Sequence, residues 1–203
     1  MNMIDRNNFL NMVSNHITLT QPEYDLCVYA GTYRRNYAIE HKLTPKYGLD
    51  AVRNGLGADI QGAIGEFVVA KRLNLCWSIG GIGEPDVGGI IDVRMTKYPN
   101  GHLIIHEWDT KEQKGDHPDK LFVLVTGEGL EYDVRGWMYA GFAQHPRFWG
   151  SLANDKNKEP RLAFNVPQTA KDVFNPDLFK LQQLVWGNMQ KNGGVVKLER
   201  RVI

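Results

Sequence analysis

Pro85-Asp86-Val87-Gly88-Gly89-Ile90-Ile91-Asp92-Val93-Arg94 is the stretch that decides the fold: an acid, a two-glycine bend, then a run of alternating apolar and charged residues. Successive side chains of an extended segment point to opposite faces, so Asp92 and Arg94 project to one side while Ile91 and Val93 enter the other layer. The bend brings Asp86 back beside them. Two carboxylates converging on a strand, with a cation held two residues away, suit a hard divalent ion and a polarised phosphodiester. Oxygen ligands bind Mg²⁺, and the cation stabilises charge developing on the phosphate or holds the attacking water.

Upstream, Gly62-Ala63-Ile64-Gly65-Glu66-Phe67-Val68-Val69-Ala70 reads as part of a helix from about 58 to 74, after Gly55 and Gly57. At about 100° per residue, Ala63, Glu66, Ala70 and Leu73 share one face. Two readings of Glu66 stay open. Either it reaches solvent at the edge of that face, or it is half-buried and needs a positive partner or a metal to offset desolvation. Gly62 and Gly65 would let this helix approach a sheet closely.

Further out, Pro22 suits the first turn of an earlier helix beginning after Thr20 or Gln21. Leu26, Tyr29, Tyr33 and Tyr37 then form a stripe whose default place is the core. Downstream, Ile90–Met95, Leu103–Trp108, Leu121–Thr126 and Tyr132–Val134 read as four successive strands. Turn signals such as Pro99-Asn100-Gly101 and Gly127-Glu128-Gly129 separate them. The short connections predict that part of this sheet is an antiparallel meander packed on the helices. Asn154–Pro160 reads as a solvated loop and Leu162–Val166 as a strand. A helix follows from Asn175-Pro176 to about Trp186, and a basic tail carries Lys197, Glu199, Arg200 and Arg201. The fold class is α/β, a mixed central sheet of about four to five strands flanked by helices. At roughly 150 residues per domain, the 203 residues predict one domain. It divides into a helical N-terminal elaboration (1–55), a core (56–150) and a C-terminal strand and helix extension (151–203).

Composition excludes several classes. With 42% hydrophobic and 23% charged residues, the chain lies outside the disordered range. Its longest aliphatic and aromatic run, Leu121–Val125, is far short of the roughly 20 residues that span a membrane. Asp5 with Asn2, Asn7, Asn8 and Asn11 stand where a secretory signal would be apolar, so a cytoplasmic protein without membrane contact is expected. Cys27 and Cys76 read as reduced, mostly buried thiols. A net charge of +1 neither demands nor excludes a polyanionic partner. Charge is unevenly placed, however: residues 107–133 carry a net −5 and residues 161–203 a net +4, so a phosphate backbone would prefer the C-terminal third.

Gly65-Glu66 on the helix, Pro85-Asp86 at the turn and Asp92-Val93-Arg94 on the strand together resemble the PD-(D/E)XK, or restriction-endonuclease-like, nuclease superfamily. The likeness spans roughly residues 56 to 150. It is greatest to the short-spacer branch that includes the mismatch-repair nicking endonuclease, whose strand pattern Ile90–Lys97 resembles. Phe122–Val125 and Tyr132–Trp137 are similar to small phage-type nuclease-like proteins. The resemblance implies hydrolysis or nicking of DNA phosphodiesters with Mg²⁺ or Mn²⁺. In it Asp86 and Asp92 ligate the metal, Glu66 adds a ligand directly or through water, and Arg94 stands in the lysine position. Arginine stays protonated and so cannot be a general base, though it can orient water or stabilise phosphate charge. That departure keeps open a catalytically inactive relative that binds nucleic acid or protein, or a phage assembly component. Cleavage of both strands would call for a homodimer.

Asp109-Thr110-Lys111 offers a rival register with the orthodox lysine, but the polar stretch around it reads as a loop, which favours Asp92. His102 and His106 share a strand face without a third zinc ligand nearby. The sequence holds neither a Gly-x-Ser-x-Gly elbow nor a Gly-x-x-x-x-Gly-Lys-Ser/Thr loop. Gly80-Gly81-Ile82-Gly83 lacks the strand and helix of a dinucleotide site and reads as a flexible approach to Asp86. Trp137, Tyr139, Phe142, Phe148 and Trp149 read as aromatics buried around a sheet end rather than a base-stacking platform.

Overall fold

The computed structural model describes residues 15–43, 55–79, 86–151 and 162–191. In chain order the elements are β1 (His16–Thr18), α1 (Gln21–Glu40), α2 (Gly55–Leu73), β2 (Ile91–Thr96), β3 (Leu103–Ile105), β4 (Leu121–Glu128) and β5 (Glu131–Tyr139). They continue with α3 (Ala140–Ala143), β6 (Trp149–Ser151), β7 (Leu162–Val166) and α4 (Leu178–Lys191). The unbroken apolar run of β4 belongs to a strand covered on both faces. On one face Leu121, Val123 and Val125 join Ile91, Val93 and side chains of α1, α2 and α4. On the other, Phe122 and Leu124 meet Leu103, Ile105, Phe164 and Val166. The described residues thus form three layers: helices, a mixed sheet ordered β1-β5-β4-β2, and a second sheet ordered β3-β7-β6. This is the expected α/β class. None of the described helices is long and apolar enough to cross a membrane.

The four strands do not all join one meander. β4 and β5 pair antiparallel as expected, but β2 and β4 run parallel, with Asp92 opposite Phe122. β3 leaves the central sheet and pairs antiparallel with β7. The physical reason lies at the end strand β2, where the Val93 N–H is donated to Asp86 Oδ2 at 2.6 Å. A carboxylate occupies the donor that a further strand would have used. β3 and the turn-rich segment after it then supply the crossover that a parallel pair needs.

α1 begins as anticipated. Thr20 Oγ1 accepts the Glu23 N–H, Glu23 reaches back to the Thr20 N–H at 2.8 Å, and Pro22 sits in the first turn. Its tyrosine stripe, however, faces outward: Tyr29 is 61% exposed, and Leu26, Tyr33 and Tyr37 are exposed too. Cys27, Ala30 and Gly31 are buried instead, because the contact with α2 is too close for rings. A Cβ on Gly31 would lie 2.5 Å from Ile60 Cα. Gly31→Ala is therefore expected to destabilise the fold by about 1–3 kcal/mol, although alanine is the better helix former. A chemical denaturation curve measures this, and a neutral or stabilising result would mean that the two helices can part.

Gly65 plays the expected part on α2: its Cβ position is 3.1 Å from Met95 Cβ and 3.2 Å from Val93 Cγ1, so the helix lies directly on β2. Gly62 has no such neighbour. α4 starts later than its Asn175-Pro176 signal, at Leu178, where Asp177 Oδ1 accepts the Phe179 and Lys180 N–H groups. Cys27 is buried as expected and Cys76 is exposed, both as free thiols. Trp137 and Phe148 are buried, whereas Phe142 and Trp149 are exposed. The Asn154–Pro160 loop, the glycines between 80 and 83, Pro85 and the tail bearing Lys197, Arg200 and Arg201 lie outside the described residues.

Candidate active site

Asp86 stands at the start of the two-glycine bend. Gly88 and Gly89 have φ of +61° and +74°, a conformation that side-chain-bearing residues rarely adopt, and Val87 bridges Ile91 across the turn. The bend sets the Asp86 carboxylate against the β2 backbone, where Oδ2 accepts the Val93 N–H. Burial, followed by the negative charge of Glu66, pushes this carboxyl up to about 7. The Val93 hydrogen bond pulls it back, Asp92 adds to the rise, and Arg94 opposes it. All four sequence-identified residues therefore belong to one electrostatic neighbourhood, centred on Asp86.

Their immediate partners differ from the expectation. Glu66 is buried, and both of its oxygens are held by Arg34 of α1: Nη1 to Oε1 at 2.6 Å and Nη2 to Oε2 at 2.6 Å. Trp77 Nε1 donates a third hydrogen bond, to Oε2 at 3.1 Å. Of the two readings of Glu66, the buried carboxylate with a positive partner is the one observed, and the partner is a forked guanidinium. Arg34 also donates to the main-chain oxygens of Ile79 (3.0 Å) and Ser78 (3.2 Å), on the chain leading toward Asp86. Burial opposes the Arg34 charge. Glu66, with Asp86 and Asp59, outweighs that penalty and holds the guanidinium above its ordinary pKa.

On the opposite face of β2, Asp92 and Arg94 project together as the alternation required. Arg94 Nη2 is bound by Asp116, at 3.2 and 3.3 Å to the two oxygens, and its guanidinium lies 4.8 Å from the Phe122 ring centroid. Asp116 is 2% exposed and also accepts the His106 N–H. Asp92 instead meets Lys120 Nζ at 3.1 Å. Sequence reading missed Lys120, which lies just before β4. The parallel register setting Ile91 opposite Leu121 brings that lysine to Asp92, and only strand pairing could have revealed it.

The rival tripeptide is a turn. Asp109 is exposed, pairs across a bridge with Lys114, and caps the Lys111 and Glu112 N–H groups through Oδ1. His102 Nδ1 meets Asn165 Oδ1 at 3.0 Å. No group of three or more His, Cys, Asp or Glu positioned around a single point occurs among the described residues. No family model, curated protein or solved structure matches this chain.

Proposed function

We propose that this protein is a metal-dependent DNA endonuclease-like hydrolase that cuts or nicks phosphodiesters in the cytoplasm. The observation that carries the reading is Asp86: a half-buried carboxyl anchored on the Val93 N–H and raised to about 7 by desolvation and by the charges of Glu66 and Asp92. A divalent cation would relieve that electrostatic tension, and Asp86 and Asp92 offer the hard oxygen donors that Mg²⁺ or Mn²⁺ takes. Bound there, such an ion would polarise the phosphate and acidify a water. The residues of this chain divide the remaining work. Asp86 presents its carboxylate from a backbone-anchored bend. Lys120 stands beside Asp92, where its ammonium can orient the attacking water or stabilise charge developing on the phosphate. Glu66 orients Arg34, which holds the Ser78 and Ile79 carbonyls.

A second reading is favoured by a different observation. Three of the four residues expected to act are held in ion pairs, Glu66 by Arg34, Arg94 by Asp116 and Asp92 by Lys120. A scaffold kept for binding nucleic acid or protein would look the same.

Plasmid incubated with the purified chain and Mg²⁺ or Mn²⁺ separates the two. Nicked or linear product is expected, lost by about 100-fold or more in Asp92→Ala and in Lys120→Met, and kept within a few-fold in Arg94→Lys and Asp109→Ala. No cleavage by the parent chain, with no calorimetric Mn²⁺ binding that Asp86→Asn removes, would overturn the nuclease reading in favour of the silent scaffold. Cleavage lost in Asp109→Ala but not in Asp92→Ala would overturn the residue assignment.

A further inference from the structure

α1 is apolar on two sides. Toward α2 it presents Cys27, Ala30 and Gly31. Away from α2, Leu26, Tyr29, Tyr33 and Tyr37 follow one another at three- and four-residue steps, the spacing of a seam between two helices. Tyr29 is 61% exposed, Tyr33 46% and Tyr37 37%. The rings line up along the helix: the Tyr33 and Tyr37 centroids are 6.5 Å apart, and Tyr37 stacks on His41 at 3.9 Å. No exposed charge interrupts them, because the two cations between Asp25 and Glu40, Arg34 and Arg35, turn inward to Glu66 and Asp59. A helix with one packed side ordinarily carries charged residues on the other. This one carries rings.

The ends of the stripe are oppositely charged. Asp25 is exposed at the N-terminal end, His41 and Lys42 at the C-terminal end, and neither Asp25 nor Lys42 has an ion-pair partner among the described residues. Two copies of α1 crossing antiparallel about a two-fold axis at Tyr33 would cover the rings and pair the charges together. Tyr29 of each copy then stands level with Tyr37 of the other, and Asp25 level with His41 and Lys42, every contact being made twice. The helix macrodipoles also oppose one another in that arrangement. Size is adequate: rings of about 150–250 Å² each leave on the order of 300 Å² exposed on one copy. Counted on both copies, with Leu26, Asn36 and the helix ends added, the buried area comes to about 1,000 Å², the lower bound for specific association.

Nucleic acid fits the stripe less well. A base-stacking surface needs free cations beside its rings to follow the phosphates, whereas here both arginines are engaged and Asp25 and Glu40 bound the rings. Tyrosine is favoured at the centre of protein interfaces, since its ring buries much area at little cost in side-chain entropy. We infer that this chain associates with a second copy of itself through α1, the two helices lying antiparallel about Tyr33. The pairing is read from α1 alone and does not depend on the nuclease reading. It places two copies of the Asp86–Asp92 region in one particle, as cutting both strands would require.

Sedimentation velocity without DNA or metal tests this. Between about 1 and 300 μM the parent chain is expected to pass from monomer to dimer, as an interface of this size associates in the micromolar range. Tyr33→Arg, which sets two guanidinium groups against each other at the axis, is expected to raise the dissociation constant about 30-fold or more. Its circular dichroism and denaturation midpoint should match the parent's, because the Tyr33 ring is exposed. Tyr29→Asp and Tyr37→Lys should each weaken association alone and regain it when mixed, since the mixed pair sets aspartate against lysine on one side and keeps both rings on the other. A parent chain that stays monomeric throughout would overturn the inference and leave the stripe to a different partner or to another segment of this chain. A dimer indifferent to Tyr33→Arg would place the contact on another face, and mixing that restores nothing would overturn the antiparallel alignment.

Discussion

Asp86→Asn is expected to make the protein more stable above neutral pH and to abolish the proposed cleavage of DNA. In the folded chain the Asp86 carboxyl is pushed up to about 7, from an ordinary value of 3.8. Between those two values the unfolded chain has released a proton that the folded chain still holds. Unfolding stability therefore falls as pH rises through that window and levels off above about 7. A shift of this size corresponds to a penalty on the order of 4 kcal/mol. Asparagine cannot ionise, and its side-chain oxygen can still accept the Val93 N–H now received by Asp86 Oδ2. The variant should thus match the parent below pH 4, show no downward slope between pH 4 and 7, and exceed it by about 2–4 kcal/mol at pH 8. Urea denaturation across that range measures the difference. Added Mn²⁺ should stabilise the parent above pH 7 and leave the variant unmoved. Parallel pH profiles for the two proteins would mean that Asp86 is not held in the strained, partly protonated state assigned to it. A carboxylate that costs stability yet sits on an anchored bend is the pattern expected where function has been favoured over stability.

The features legible in the sequence were those set by local periodicity. The alternation of Ile91, Asp92, Val93 and Arg94 fixed which side chains face which layer. The Leu121–Val125 run marked a strand, and Gly65 marked the close approach of helix to sheet. Each requires knowledge of only a few neighbouring residues. What stayed hidden depends on pairing across distance. Arg34 and Glu66 are 32 positions apart and meet only because α1 and α2 pack on their small faces. That packing also sends the tyrosine stripe outward, against the default for an aromatic periodicity. Lys120 reaches Asp92 through a parallel register that cannot be seen until β3 is known to leave the sheet. Asp116, read as one charge in a polar loop, is a buried carboxylate because Arg94 and the His106 N–H converge on it. A count of charges along the chain cannot distinguish a solvated acid from a paired one. Only the identity of the counter-ion does, and that is a tertiary property.

Arg34→Met is expected to be among the most damaging single changes away from the apolar core. Arg34 makes four hydrogen bonds: two to Glu66 at 2.6 Å each, one to the Ile79 oxygen at 3.0 Å and one to the Ser78 oxygen at 3.2 Å. The two side chains are 16% and 7% exposed, so the pair is largely desolvated. Removing one member leaves the other buried without compensation, which costs about 3–5 kcal/mol. Replacing both members with apolar groups of similar size removes the stranded charge. Arg34→Met combined with Glu66→Leu should therefore cost less than Arg34→Met alone, although the Ser78 and Ile79 oxygens still lose their donor. Arg34→Lys should recover only part of the loss, because a single ammonium cannot engage both carboxylate oxygens and two main-chain carbonyls at once. A double-mutant cycle followed by chemical denaturation reads the coupling directly, and at least about 2 kcal/mol is expected. Costs that merely add would show that the two charges do not depend on each other. The consequence reaches the site through Asp86: an unneutralised Glu66 nearby would lift the Asp86 carboxyl further, moving the alkaline rise of any Asp86-dependent cleavage to higher pH in Arg34→Met. A purely structural clamp would lower the amount of active protein without shifting that profile, so the pH dependence separates a residue that sets the charge of the site from one that only holds two helices together.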